Sequence, residues 1–383
     1  MKISVVIPLY NAEKYILETL NSLINQTYPI DEILVVDDCG PDNSASIVEH
    51  YSKQYPVIKL LRQPHNQGGS AARNRGLQEA KNDWVLMMDA DDTIHRDLLK
   101  RQIERLQEYI HVDPAPVCVH PAYLQTDADG NILENSEYRG QQLPFKETFG
   151  SLLVRNYIIT PSGLLLNRDA ALEIGGYKTN FLISEDAEFI LRLSRKGTFV
   201  YLDKPYVYFR RHPMSITSDL KKASQAGKAI LDIYTIDEIK EAVMCRNFPK
   251  QKNILDFVSL LYQYGRYEEG FKYLNQITED DYAQSKLFLQ SLFYIENKQF
   301  KEAAHYIDDL LVLNGEHGAA LNNRAVLYAQ SGNFSIAKQL FKKALELFPG
   351  YMDVTDNLKV LINGEGQYRF TKRELRKNLL RYS

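Results

Sequence analysis

At 383 residues, with 44% hydrophobic and 25% charged residues, the chain is too long for one small core, and two globular domains are expected. A net charge of −3 provides no basic field, so nucleic acid is not expected as a partner. Three cysteines, Cys39, Cys118 and Cys245, in no CxxC spacing argue against a disulfide framework or zinc site and for a reducing compartment.

The chain opens with "MKISVVIPLYN", whose apolar run is too short for a secretory leader, and no stretch reaches 18 apolar residues. A cytoplasmic protein is expected. "ISVVIPLY" (Ile3–Tyr10) is an uninterrupted, β-branched run typical of a strand buried on both faces. Asn11 is placed to cap the helix that follows, in which Tyr15, Ile16, Leu20, Leu23 and Ile24 recur at helical spacing. "EILVVDD" (Glu32–Asp38) predicts a second strand, "SASIVEHYSK" a second helix, "IKLLRQ" a third strand, "GSAARNRGLQEAK" a third helix and "WVLMMD" a fourth strand. This rhythm predicts an α/β domain with a parallel sheet covered on both faces. From Thr93 to Asp219 the pattern is less regular: a helix over Arg96–Tyr109, strands near Val117–Tyr123 and Leu164–Asn167, a helix after Glu185, and the strand-like "TFVYLDKPYVYFRRH".

The last third is helical and repeats. "YQYGRYEEGFKYL", "YIENKQFKEAAHYI" and "YAQSGNFSIAKQLF" superimpose with aromatics at Tyr267, Phe300 and Phe334, 33 and 34 residues apart. Small residues follow at Gly270, Ala303 and Ala337, and large ones at Leu274, Ile307 and Phe341. The small positions let two helices approach while the aromatic is expected to fill the gap. Period and pattern resemble the tetratricopeptide repeat, completed in the last unit by Ala344 and Pro349. The expected domains are 1–220, a helical linker 221–248, repeats over 249–365 and a basic tail 366–383.

Ligands of an open parallel sheet bind beyond the carboxyl ends of its strands. Those ends read "PLYN" (Pro8–Asn11), "VDDCGPDNS" (Val36–Ser44) and "MDADD" (Met88–Asp92). Carboxylates as crowded as Asp89, Asp91 and Asp92 repel unless a cation or hydrogen-bond donors compensate. A ring can stack on a base, a carboxylate can accept the N3–H of a pyrimidine, and further carboxylates can hold Mg²⁺ or Mn²⁺ between phosphates. The plainer reading makes Asp37, Asp38 and Asp42 a turn and helix-cap cluster, and Asp89, Asp91 and Asp92 a loop capping the next helix. Asp92 is assigned that capping role.

In this order, "VVIPLYN", "VVDDCGPDNS", "NQGGSAARNRGL" and "MDADD" resemble the family 2 glycosyltransferases, which have a GT-A fold, over roughly residues 1 to 220. The resemblance implies a nucleotide pocket lined by Pro8 and Tyr10, with Tyr10 stacking on uracil and Asp38 hydrogen-bonding it beside Asp37. It makes Asp89 and Asp91 the DxD pair, Asp89 towards ribose or metal and Asp91 the main metal ligand. Arg73 becomes a donor contact. Cys39 departs from the family, which commonly has Gly-Ser after the acidic pair.

Further along, "FLISEDAEFILRL" places Glu185 and Asp186 before an amphipathic helix, where an acidic first turn is favoured by the helix dipole. The resemblance makes Asp186 the catalytic base and Glu185 an acceptor contact, with the turn Gly175–Gly176–Tyr177 leading towards the acceptor. "YFRRHPMSIT" resembles the family's terminal Arg-x-His-Pro-x-Ser pattern. His212 is then a metal ligand, and Arg210 and Arg211 are diphosphate clamps, since guanidinium forks match phosphate oxygens. "NQGGSAARNRG" does not have the GxGxxG spacing of a dinucleotide loop.

The implied activity is metal-dependent, inverting transfer of a sugar from a UDP-sugar to a hydroxyl of a glycan, lipid-linked or peptide acceptor, in cell-surface polysaccharide synthesis. The competing reading is a repeat scaffold whose first domain binds nucleotide without catalysis; retention of both Asp91 and Asp186 argues against it. The repeats offer concave surfaces for a protein partner or a homodimer. The tail "YRFTKRELRKNLLRYS" carries Phe370, Leu375, Leu379 and Leu380 at partly helical spacing, so it reads either as a capping helix or as a peripheral contact with an anionic membrane at the inner face.

Overall fold

Seven residues of Ile3–Leu9 form β1 because a β-branched run with no polar period is stable only when both faces are covered, and all but Pro8 are buried. The computed structural model describes residues 1–181, 183–212 and 227–375, which fall in two compact units, Met1–Arg246 and Asn247–Ser383.

In the first unit β1 is followed by α1 (Ile16–Ile24), β2 (Glu32–Asp37), α2 (Ser44–Gln54), β3 (Ile58–Arg62), α3 (Gly69–Glu79) and β4 (Trp84–Met87). Then come β5 (Thr93–Ile94), α4 (Leu98–Glu108), β6 (Pro116–Thr126), α5 (Phe145–Val154), β7 (Leu164–Asn167), α6 (Arg168–Glu173), α7 (Glu185–Leu193), β8 (Thr198–Arg210) and α8 (Ile236–Met244). The strands make one mixed sheet in the order β3-β2-β1-β4-β7-β6-β8-β5. The first four strands are parallel, and β7 enters antiparallel to both β4 and β6. After β1 the chain builds outward through β2 and β3, then returns to β4 on the other side of β1. That reversal opens a crevice at the carboxyl ends of β1 and β4.

Helix α3 lies so close to β1 that a Cβ on Gly76 would sit 2.2 Å from Val6 Cγ1. Asn11 does not cap α1. It takes a left-handed φ of 52°, and the Ala12 carbonyl turns the chain by accepting from the Tyr15 and Ile16 amides before the helix starts. Residues 227–246, expected as part of a linker, belong to the first unit. Helix α8 is closed by a Thr235–Glu238 capping box and packs on α5. Gly150 allows this, because a Cβ there would lie 1.9 Å from the Ala242 carbonyl oxygen. Residues 213–226 lie outside the described residues.

The second unit is helical among its described residues: α9 (Lys250–Gln263), α10 (Tyr267–Leu274), α11 (Ala283–Glu296), α12 (Phe300–Leu313), α13 (Gly318–Gln330), α14 (Phe334–Leu347) and α15 (Met352–Asn363). Successive helices pair, α9 on α10, α11 on α12 and α13 on α14. The small positions Gly270, Ala303 and Ala337 are buried, as are Leu274, Ile307 and Phe341. The turn aromatics behave differently. Phe300 is 39% and Phe334 57% exposed, because each opens its helix and the gap is closed by the large residue two turns further on, Ile307 or Phe341. No helix among the described residues is long and apolar enough to cross a membrane.

The tail also departs from expectation. Residues 366–375 are neither helix nor strand, and Tyr368, Phe370 and Leu375 pack against the core of the last repeat. Two of the apolar residues considered for membrane contact, Phe370 and Leu375, thus pack on the protein itself. Leu379 and Leu380 lie outside the described residues.

Candidate active site

The carboxyl ends of β1, β2 and β4 converge with the start of α7 and the end of β8. Three of the five non-glycine residues with positive φ among the described residues lie here: Asn11 (52°), Cys39 (60°) and Ser184 (63°). Strain of this kind persists only where surrounding structure enforces it, and it gathers at functional sites. It also accounts for the departure at Cys39. The position adopts a backbone conformation that glycine takes freely, and here the Asp37 carboxylate accepting from the Cys39 amide at 3.1 Å helps to hold it.

Beyond β1, Tyr10 is 52% exposed and Pro8 partly so, leaving the Tyr10 ring open for stacking. Asp37 and Asp38 are both buried. Asp37 accepts from Arg62 at 3.2 Å. Asp38 accepts from Gln63 Nε2 at 3.0 Å and from the amides of Gln67 and Gly68 at 2.7 and 2.8 Å. These bonds pin the loop before α3 across the mouth of β2 and leave the Asp38 carboxylate one uncommitted lone pair.

The acidic turn after β4 separates its carboxylates into different tasks. Asp92 is fully buried and does not cap α4, whose N-cap is Asp97. Instead it accepts from Ser162 Oγ at 2.5 Å and from the Arg210 amide at 2.8 Å, tying β7's approach and the end of β8 to the turn. Thr19 Oγ lies 3.0 and 2.8 Å from the carbonyls of Ala90 and Asp92 and braces the turn's backbone. Burial, with Asp91 and Asp89 nearby, raises the Asp92 pKa well above the usual carboxylate range. Asp91 is the outward member, 31% exposed, with His212 Nε2 2.9 Å from its Oδ2. The His212 ring stacks on Tyr15 with centroids 5.1 Å apart.

Arg73, on α3, is buried and joins the two halves of the site. Its guanidinium donates to Asp89 Oδ1 and to Glu185 Oε1, both at 2.8 Å, and lies 5.5 Å from the Tyr177 ring centroid. Burial alone would favour a neutral guanidine, but Asp89 and Glu185 more than offset this and push its pKa up. Arg73, expected as a donor contact, is thus an internal bridge between the acidic turn and α7.

Asp186 occupies the first turn of α7, and its Oδ1 accepts from the Ala187 amide at 2.7 Å. Burial, then the Glu185 charge, raises its pKa to about 7. The Gly175–Gly176–Tyr177 turn is fixed opposite. Asn74 exchanges two 2.7 Å hydrogen bonds with the Tyr177 backbone, and a Cβ on Gly176 would meet Asn74 Oδ1 at 2.3 Å. Tyr177 stacks face to face on Phe189 of α7 at 4.0 Å.

Arg210 is not available as a diphosphate clamp. It is 3% exposed and its guanidinium is directed inward, donating to the Asp91 and Ala128 carbonyls at 2.8 Å and to Glu18 at 2.5 Å. The cause is packing, since the guanidinium sits 4.8 Å from the Tyr15 ring centroid beneath the acidic turn. Arg211 lies over the Phe209 ring at 5.0 Å and reaches Gln125 at 3.5 Å.

For a divalent cation, no cluster of three ligating side chains is found among the described residues. Asp91 and His212 nevertheless present one oxygen and one nitrogen donor side by side. That fits an ion such as Mg²⁺ or Mn²⁺, which commonly takes one or two protein ligands and completes its shell with water and substrate phosphate. Asp89 fits less well, because Arg73 already holds its Oδ1. Sequence reasoning missed Ser162, Thr160 and Thr19, the hydroxyls that set this turn. No motif marks them, and their partners are about seventy residues away.

An exposed ring, paired acids and a carboxyl poised near neutrality meet at a topological switch point, where open α/β sheets take their ligands, and mark the first unit as the candidate catalytic domain. Residues 4–175 match the model of glycosyl transferase family 2, and residues 318–351 match a tetratricopeptide repeat. The first unit therefore carries a family 2 glycosyltransferase domain over residues 4–175, and the second a tetratricopeptide repeat over residues 318–351 within its paired helices. Among relatives, the putative teichuronic acid biosynthesis glycosyltransferase TuaG of Bacillus subtilis is 27% identical over 58% of this chain and 84% of its own length. A poly(ribitol-phosphate) beta-glucosyltransferase of Bacillus spizizenii is 43% identical over 51% of this chain and 33% of its own. An uncharacterized glycosyltransferase of Haemophilus influenzae is 36% identical, and the chain spans about half (51%) of that relative's length. The crystal structure of S. aureus TarS 1-349 in complex with UDP-GlcNAc covers 98% of both chains with a TM-score of 0.52 at 18% identity, a likeness of fold.

Proposed function

We propose that the first unit transfers a sugar from a UDP-sugar to a hydroxyl group of a cell-surface polymer, inverting the anomeric carbon in a single displacement. The observation that carries this is Asp186, a carboxyl with a pKa of about 7 in the same crevice as the Asp89–Asp91 pair and joined to it through Glu185 and Arg73. A base titrating near the working pH is well matched to taking a proton from an alcohol in the transition state.

In the proposed reaction Tyr10 stacks on the uracil and Asp38 accepts from its ring N–H. Asp91 and His212 would hold the divalent cation, whose contribution when bound is to neutralise charge on the departing diphosphate. Asp186 accepts the acceptor's hydroxyl proton as that oxygen bonds to the anomeric carbon from the face opposite the diphosphate. The carbon–oxygen bond to the diphosphate breaks, UDP leaves with the electron pair, and the proton remains on Asp186. Arg73 keeps Glu185 and Asp89 in register, so the base and the donor end move as one assembly. The likeness to relatives named for poly(ribitol-phosphate) and teichuronic acid supports a cell-wall polymer as acceptor.

A panel of UDP-sugars incubated with Mn²⁺ tests the reading by proton NMR. An α-linked donor is expected to release UDP and give a β-configured product. An α-configured product would overturn inversion, and turnover only of sugars carried on another nucleotide would overturn the UDP assignment.

A further inference from the structure

Among its described residues the repeat unit has three fully buried asparagines, Asn322, Asn323 and Asn357, which repeat packing alone does not require. A primary amide is expensive to bury unless both its donor and its acceptor are used. Here they are used on the backbone of one segment of the same chain. Asn357 Oδ1 accepts from the Arg369 amide at 2.7 Å while its Nδ2 donates to the Arg369 carbonyl at 2.9 Å. Asn323 does the same to Thr371, at 2.7 and 3.0 Å. Asn322 lies between them, donating to the Arg369 carbonyl and accepting from Asn357 Nδ2.

The two clamped residues are two apart, the interval at which an extended chain presents the same edge again. The clamps therefore read an extended backbone and leave alternate side chains free to be selected. Those side chains have their own seats. Thr371 Oγ donates to Asp353 at 2.8 Å and meets the Tyr351 hydroxyl. Phe370 stacks on Phe300 at 6.3 Å. Leu375 rests on Gly318, where a Cβ would approach it to 2.5 Å. At the charged positions, Lys372 pairs with Glu296 at 2.9 Å and Arg369 with Asp356 at 2.8 Å.

We infer that this face of the repeats is a binding site for an extended, basic-aromatic peptide, and that the chain's own segment Tyr368–Leu375 occupies it as an exchangeable internal ligand. Two features distinguish it from a fixed cap. The segment adds no helix to the stack, and it is held by bidentate backbone clamps and exposed ion pairs, which a second peptide of the same chemistry can reproduce. The occupant that would displace it is an extended segment with an aromatic, then Thr-Lys, carried by another protein. The inference is independent of the chemistry of the first unit.

The test uses the full chain and a fluorescent peptide of sequence GQYRFTKREL, residues 366–375. In the double variant Phe370→Ala/Leu375→Ala the internal segment is weakened. Peptide affinity measured by anisotropy should rise on the order of tenfold or more over the wild type. Adding Asn323→Ala and Asn357→Ala should abolish that binding. A double variant that melts cooperatively and binds no peptide would overturn the inference. Hydrogen exchange on the wild type decides the matter should that variant fail to fold. The amides of Arg369 and Thr371 should open well before those of Gly318–Gln330, and equal protection would mean a permanent part of the fold.

Discussion

Replacing Asp186 by asparagine removes a charge that the folded chain accommodates poorly. The carboxyl holds its proton to about pH 7 when folded, against about 3.9 when unfolded. Between those values the folded state binds more protons, so this group's contribution to stability falls as pH rises from about 4 and is fully lost above about 7. A displacement of about three pKa units corresponds to a ceiling of about 4 kcal/mol; Asp186 is partly exposed, and solvent screening brings this to about 2 kcal/mol. Asparagine keeps the oxygen that accepts from the Ala187 amide but does not titrate. Asp186→Asn should therefore match the wild type near pH 4.5 and exceed it at pH 8 by roughly 4 to 8 °C in the first unit's melting temperature. Thermal melts at the two pH values are the assay, with sugar transfer measured alongside and expected to fall by at least about a hundredfold. An equal difference at both pH values, or a less stable variant at pH 8, would refute the account of why this carboxyl is a base.

Three further outcomes follow from the same geometry. Arg73→Met leaves the partly buried Asp89 and Glu185 without their shared partner, and chemical denaturation should show a loss of about 3 kcal/mol. Gly76→Ala forces a methyl group to within 2.2 Å of Val6; separation of α3 from β1 should cost about 1–3 kcal/mol by the same measurement. The pH profile of kcat/KM for transfer should fall on its acid side with an apparent pKa near 7, and this limb should be absent from any residual activity of Asp186→Asn.

The sheet was legible where sequence and burial share a single period. β1, β2 and β4 are near-continuous apolar runs, and all three begin and end close to where the runs do. Helix α5 was not legible, because "FKETFGSLLV" carries a central glycine whose role, close contact with the Ala242 backbone, depends on a helix some ninety residues later. Within the candidate site, the residues that a local pattern marks are brought close together. Asp89, Asp91 and Asp186 lie around one crevice, and His212 reaches Asp91. What each residue does there depends on partners far away in sequence. Arg210 reads as an exposed phosphate ligand until Glu18 and the Asp91 carbonyl are seen to hold it from within. Asp92 reads as a helix cap until Ser162 reaches it. The tail's apolar spacing suggested a helix, whereas the asparagines that hold it extended carry no periodic signal of their own.

The central claim is that this crevice binds a uridine diphosphate sugar with a cation at Asp91. Calorimetric titration of the full chain with UDP, GDP and dTDP, each with and without Mn²⁺, tests it directly on the wild type and Asp91→Ala. UDP binding that requires Mn²⁺ and disappears in Asp91→Ala is the predicted result. UDP binding that is indifferent to the metal and to Asp91, or no binding of any nucleotide by the folded wild type, would contradict it.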